Sequence, residues 1–227
     1  MAIDGCSTMS SRSEAKGGFF DNMSVARMEE EISERLKRFQ DELSAHGVDG
    51  ALVAQKMDLY YFAGTDQDAH LWVPAKGQSL LMVRKSMERA VKDAVTKQIV
   101  PLKSLSQIPE HIRSNGGTGG LDRIGLEMDV LPVNRYLTYQ RLFPKTEFVD
   151  VSPWIRETRM IKSAHEISLI AAAARMADAT YEKVPGFLRE SDREIDLTSR
   201  TEACYRSRGH PGVVPTRGLP LPERRRF

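Results

Sequence analysis

The sequence predicts an α/β domain in which helices cover a mixed sheet. Two observations carry that expectation. Up to residue 152, segments of helical spacing alternate with short apolar runs, in the order helix, strands, helix, strand, helix, strand. Within that alternation, two apolar runs flank a compact turn, and such a hairpin puts an antiparallel pair into the sheet. From residue 153 onward the pattern is helical only.

Residues 1–24 are Ser/Gly-rich and aperiodic, so a disordered leader is expected, and Met23 or Met28 could equally begin the chain. In MEEEISERLKRFQDELSAHGVDG, Ile32, Leu36, Phe39 and Leu43 share one helical face, Glu31–Arg35 and Glu34–Arg38 are i,i+4 pairs, and Gly47 stops the helix. GALVA (50–54) has strand length, and the aromatic DLYYFAG (58–64) reads as a second extended piece. AHLWVPAKGQSLLMVRK reads as the hairpin, turning at Ala75-Lys76-Gly77-Gln78. Met87, Val91 and Val95 return to helical spacing; a strand over Gln98–Leu102 and a short helix over Leu105–Arg113 follow. RIGLEMD (123–129) is a strand, Pro132 opens a helix to about Leu142, and Phe148–Val151 is a last strand. Two capping boxes, Ser163-Ala-His-Glu166 and Ser191-Asp-Arg-Glu194, then open two helices, the first ending near Pro185-Gly186 and the second at Gly209. With no strand of their own to cover, these helices look like the start of a second domain.

The 227 residues are 41% apolar and 28% charged, with a net charge of +2, which gives no field for nucleic acid or an acidic membrane. Two distant cysteines, Cys6 and Cys204, support neither a disulfide framework nor a CxxC metal site and read as reduced cytosolic thiols. No apolar run has the length of a signal peptide core or a membrane span, so a cytoplasmic protein with no membrane partner is expected. The Pro/Arg-rich end, with Arg217, Arg224, Arg225 and Arg226 against Glu223, reads as a solvated tail rather than a grip on RNA.

Few motifs carry chemistry. Asn115-Gly-Gly-Thr-Gly-Gly120 follows a helix and precedes a strand, the reverse of a dinucleotide-binding turn, and reads as a connection. The histidines at 46, 70, 111, 165 and 210 are too scattered to aim a pair at one metal. His70 opens a hairpin strand beside Trp72, where sheet ends line clefts; with Tyr60 and Tyr61 these residues are the candidate substrate cleft. Among scattered carboxylates (Asp66, Asp68, Glu127, Asp129), Glu127 and Asp129 alternate about Met128, so they could share a strand face and hold a cation or mark a strand running into solvent. There is no GxSxG elbow, and no cysteine beside a base.

Arg159-Met-Ile-Lys-Ser-Ala-His-Glu-Ile167, with the alanine-rich stretch after it, resembles the junction between the two domains of Xaa-Pro peptidases of the creatinase/prolidase/aminopeptidase P family. Asp58-Leu-Tyr-Tyr-Phe-Ala-Gly64 is similar to that family's tyrosine-x-x-glycine segment, Ile124-Gly-Leu-Glu127 to its isoleucine-glycine-x-glutamate strand, and Tyr205-Arg-Ser-Arg-Gly209 to the end of its second catalytic-domain helix. The resemblance implies a three-layer α/β/α N-terminal domain over 25–158 that helps form dimers and can lend side chains to a neighbour's site. It further implies the start of a "pita-bread" catalytic domain over 159–212, before a disordered tail over 213–227.

In that family two divalent metals, manganese, cobalt or zinc, are held by two aspartates, a histidine and two glutamates, all expected beyond Gly212. There this chain has one acid, Glu223, and no histidine, and LPLPERRRF reads as an abrupt, out-of-frame end. The expectation is therefore no cofactor and no peptidase activity in this chain, and no catalytic or metal-ligating residue is assigned. The alternatives are a module that pairs as a homodimer or with full-length relatives, a binder of small or proline-containing peptides, and a gene fragment without function.

Overall fold

The computed structural model describes residues 25–114, 121–190 and 192–210. They fall into two compact units, 25–162 and 163–210. The expected leader, the Asn115–Gly120 connection, Ser191 and the tail lie outside the described residues.

The first unit is built on one six-stranded sheet: β1 (Gly50–Val53), β2 (Ala69–Pro74), β3 (Leu80–Val83), β4 (Gln98–Pro101), β5 (Arg123–Leu126) and β6 (Glu147–Asp150), in the spatial order β4-β3-β2-β1-β5-β6. The hairpin pairs β2 with β3 antiparallel, His70 opposite Met82. β1 pairs antiparallel with β2, Val53 opposite Leu71, and parallel with β5, Leu52 opposite Leu126. The β3–β4 and β5–β6 pairs are parallel. Burial of β1, β2 and β3 on both faces explains their unbroken apolar runs.

Two apolar layers result. On one face Ala51, Val53, Leu71 and Val73 pack with Phe39 and Leu43 of α1 (Val25–Ala45), Leu59 and Phe62 of α2 (Lys56–Ala63), Ala90 of α3 (Met87–Asp93) and Ile155 of α6 (Ser152–Met160). On the other face Leu52, Trp72, Ile124 and Leu126 meet Ile108 and Ile112 of α4 (Ile108–Ser114) and Tyr139 of α5 (Val133–Leu142). This is the three-layer α/β/α arrangement. The strands need Gly50 where a side chain would collide: a Cβ there would lie 2.4 Å from the Trp72 ring.

Three differences from the sequence pattern have physical causes. DLYYFAG is not extended but forms most of α2. The Gln55 side chain accepts from the amides of Met57 and Asp58, and Gly64, at φ +80°, closes the helix with its N–H on the Tyr60 carbonyl. Its buried residues Leu59, Phe62 and Ala63 have i,i+3,i+4 spacing, which outweighs the strand preference of the aromatics. The strand expected over 123–129 stops at Leu126, because the Glu127 carbonyl accepts from Val130 and Leu131 in a turn. Helix α6, unmarked in the pattern, starts where the Asp150 carboxylate accepts from the Ser152 amide and hydroxyl.

In the second unit α7 (Ala164–Tyr181) opens on the expected capping box: the Glu166 amide donates to Ser163 Oγ at 3.1 Å and the Ser163 amide to Glu166 Oε2 at 2.8 Å. A one-turn α8 (Val184–Phe187) carries Pro185-Gly186. The last helix, α9 (Glu194–Ser207), starts two residues later than the expected box places it, with the Arg193 amide donating to Asp196 Oδ2 at 3.3 Å. Ala172, Met176 and Cys204 are buried, whereas Ile167, Ile170, Tyr181 and Ile195 are exposed.

Candidate functional site

The parallel neighbours β1 and β5 send their chains to opposite sides of the sheet. β1 continues into α2 on one face and β5 into α5 on the other, and their next strands lie on opposite sides of the pair. The carboxyl ends of such strands leave a crevice between diverging connections, the usual ligand position in open α/β sheets. Here the crevice is a cleft of about 150 Å³, lined among others by Gln55, Asp68, His70, Glu127, Leu131 and Arg135.

Glu127 forms its inner wall. The residue is 2% exposed, and its Oε2 accepts from the amides of Ala54 at 2.7 Å and Gln55 at 3.0 Å. Burial, and then the adjoining Asp58 carboxylate, push its pKa from 4.5 up to about 8, against the lowering by the two amides. Glu127 thus keeps its proton at neutral pH and shares it with Asp58. Asp58, fully buried in the first turn of α2, accepts from the Arg159 guanidinium of α6. One proton and one arginine neutralise two buried carboxyl groups.

Across the cleft His70 is also 2% exposed, with Nε2 2.9 Å from the Tyr139 hydroxyl. Burial, then the charge of Arg135, lower its pKa from 6.5 to about 4; Asp68 opposes this and Arg84 adds to it. The ring is neutral in the physiological range. Burial likewise raises the Tyr139 phenol. His70 Nδ1 and Arg135 Nη1 are buried without hydrogen-bond partners among the described residues.

The four cleft residues expected from sequence are not gathered together. His70 borders the cleft; Trp72 is buried two residues along the same strand, against Gly50. Tyr60 is exposed. Tyr61 lies in the layer on the opposite face, its hydroxyl donating to the Thr158 carbonyl and its ring under the Arg35 guanidinium at 4.3 Å. Adjacent positions on α2 stand about 100° apart around the helix axis, and here Tyr60 faces solvent while Tyr61 faces the core. Glu127 and Asp129 do not share a face either: Glu127 is held by the β1 end, and Asp129 pairs with Arg156 at 2.7 Å. Sequence reading passed over Asp58, Arg135 and Tyr139. Only an acid within an apolar run, Asp58 before Leu-Tyr-Tyr-Phe, was a signal.

Residues 35–161, more than half of the chain, match the model of the Creatinase/Prolidase N-terminal domain. The chain belongs to this family. The chain is 26% identical to the creatinase of Bacillus sp. (strain B-0618) over 191 residues, covering 78% of this chain and 45% of that protein. It is 22% identical to the Xaa-Pro dipeptidase of Pyrococcus horikoshii over 178 residues, covering 78% and 49%. The solved Xaa-Pro dipeptidase from Bacillus anthracis shares the fold with a TM-score of 0.71 at 25% identity, over 78% of this chain and 50% of that one. The chain spans about half the length of the curated relatives it matches.

The two divalent metals implied by the resemblance require a converging set of carboxylate and imidazole donors. Among the described residues no three His, Cys, Asp or Glu side chains converge as a metal site requires. The nearest approach, Asp58 with Glu127, is already committed to Arg159 and two backbone amides. The described residues do not fit the metals. No helix among them is long and apolar enough to cross a membrane.

Proposed function

We propose that this chain supplies the N-terminal domain of a proline-directed metallopeptidase of the Xaa-Pro type, with the first helices of its catalytic domain. The observation that supports this reading is the family match over 35–161, combined with similarity that continues over roughly three quarters of the chain but half of each relative. In this reading the domain's work is support and pairing, as homodimer or with full-length relatives, in the cytoplasm. Splitting of the bond before proline belongs to residues outside those described.

Among the described residues no three His, Cys, Asp or Glu side chains could hold a metal, which supports the reading that the 227-residue polypeptide alone releases no proline. The test incubates purified protein with Mn²⁺ or Co²⁺ and an Xaa-Pro dipeptide. Metal-dependent turnover overturns the inactive reading.

The pairing role draws on one further observation: Ile167, Ile170, Tyr181 and Ile195 are more than half exposed. Size-exclusion chromatography with a full-length relative should show a joint, earlier-eluting species. Two unshifted peaks would count against pairing.

A further inference from the structure

We propose that the cleft at the carboxyl ends of β1 and β5 receives a small monocarboxylate, with Arg135 as its cation and the His70 ring as a second donor. This does not rest on the peptidase reading; the cleft carries it alone.

Arg135 lines the cleft and makes no ion pair with any described residue, and its Nη1 is buried without an acceptor. A guanidinium N–H withdrawn from water without an acceptor is costly, so an anion there is strongly favoured. At His70 the tautomer follows from Tyr139. That phenol is buried, and its only hydrogen-bond partner among the described residues is His70 Nε2. A buried hydroxyl proton needs an acceptor, so it goes to Nε2 and the ring proton resides on Nδ1. Nδ1–H is then a second buried donor without a partner, on a residue that lines the cleft.

Charge and size select the ligand. The Asp58–Glu127 pair adds no net charge, being neutralised by Arg159 and the retained proton. Asp68, also on the lining and 3.9 Å from Arg84, repels a second negative charge. A monoanion suits this balance better than a dianion. The guanidinium fork fits the two oxygens of a carboxylate, and Leu131 offers an apolar wall for a short tail. A volume of about 150 Å³ corresponds to roughly five waters at ~30 Å³ each. This admits an acid the size of propionate, or the carboxyl end of a larger molecule entering from solvent.

The test uses the full chain with ¹⁵N-labelled histidine. Sodium propionate is titrated against sodium chloride at equal ionic strength while the ring nitrogens are followed by NMR. His70→Gln identifies the His70 signal by its loss. A saturable shift of Nδ1 is expected, weakened about tenfold or more in Arg135→Met. If Arg135→Met does not fold, Arg135→Lys replaces it; charge without the fork should still weaken binding measurably. Glycyl-proline and glycyl-prolinamide separate two sources of the carboxylate. Binding of the free-acid dipeptide but not the amide points to a peptide terminus, and binding of propionate alone to a free short acid. No saturable shift with any acid, unchanged affinity in the Arg135 variant, or tighter binding of inorganic phosphate than of propionate overturns the proposal.

Discussion

Replacing Glu127 by glutamine should remove the alkaline loss of stability in this domain. Glu127 titrates near 4.5 when unfolded and near 8 when folded, because burial and Asp58 disfavour its charge. Between those values the folded chain binds more protons than the unfolded one. Its contribution is complete below 4.5 and is lost as pH rises through 8. His70 works in the opposite sense: folded near 4, unfolded near 6.5, its contribution is present above 6.5 and lost as pH falls through 4. From pH 4.5 to 6.5 the two slopes oppose one another. Above 6.5 only the Glu127 slope remains. At ~1.4 kcal/mol per pH unit, the stretch from 6.5 to 8 corresponds to about 2 kcal/mol. Glutamine copies the protonated acid: its carbonyl can accept from Ala54 and Gln55, and its NH₂ can donate to Asp58. Urea denaturation of wild type and Glu127→Gln at pH 5.5, 6.5 and 8.0 provides the measurement. The variant should gain on wild type by about 2 kcal/mol between the last two values. A constant difference across all three would refute a proton held by Glu127.

Arg159→Met should destabilise by about 3 kcal/mol at pH 7, since it leaves the Asp58 charge buried without its cation; a loss under 1 kcal/mol in urea denaturation would show that the pair is solvated. Gly50→Ala should lose about 1–3 kcal/mol through collision with Trp72, followed by tryptophan fluorescence in denaturant; unchanged stability would mean the ring moves aside freely. Ending the chain at Lys162 should raise solubility by removing the exposed Ile167, Ile170 and Ile195, measured as protein remaining in the supernatant after concentration; unchanged solubility would argue that these side chains do not drive association.

The fold was largely legible because its signals are local. The stripe of Ile32, Phe39 and Leu43, the glycine-bearing hairpin turn and the Ser163–Glu166 box each act within a few residues, and each stands in the structure. Where sequence misled, a side chain far along the chain or a cap decided the outcome. DLYYFAG has the composition of a strand, yet Gln55 and Gly64 close it as a helix. The cleft was only partly legible. His70 could be singled out as a histidine at a strand end, but its partner Tyr139 lies 69 residues away. The Arg159–Asp58 pair spans 101 residues. No spacing rule reaches that far; only the parallel pairing of β1 with β5 places Glu127 against the start of α2.

This pairing also explains why one junction residue matters to the carboxyl end of the central strands. Asp58, Glu127 and Arg159 come from the first turn of α2, the end of β5 and the last turn of α6. Each depends on another: Glu127 can be buried because two amides hold its Oε2 and a retained proton removes its charge, and Asp58 because Arg159 neutralises it. Apolar residues of equal volume would often give a more stable core than such a group, so stability alone does not account for it. What an apolar core would not supply is direction. Hydrogen bonds fix the end of α6 against the start of α2 at one rotation, with Tyr61 Oη on the Thr158 carbonyl as a second point of registry. The arginine that opens the Arg159–Ile167 motif therefore acts back into the sheet domain. Its side chain closes the polar wall whose other surface borders the Arg135 cleft.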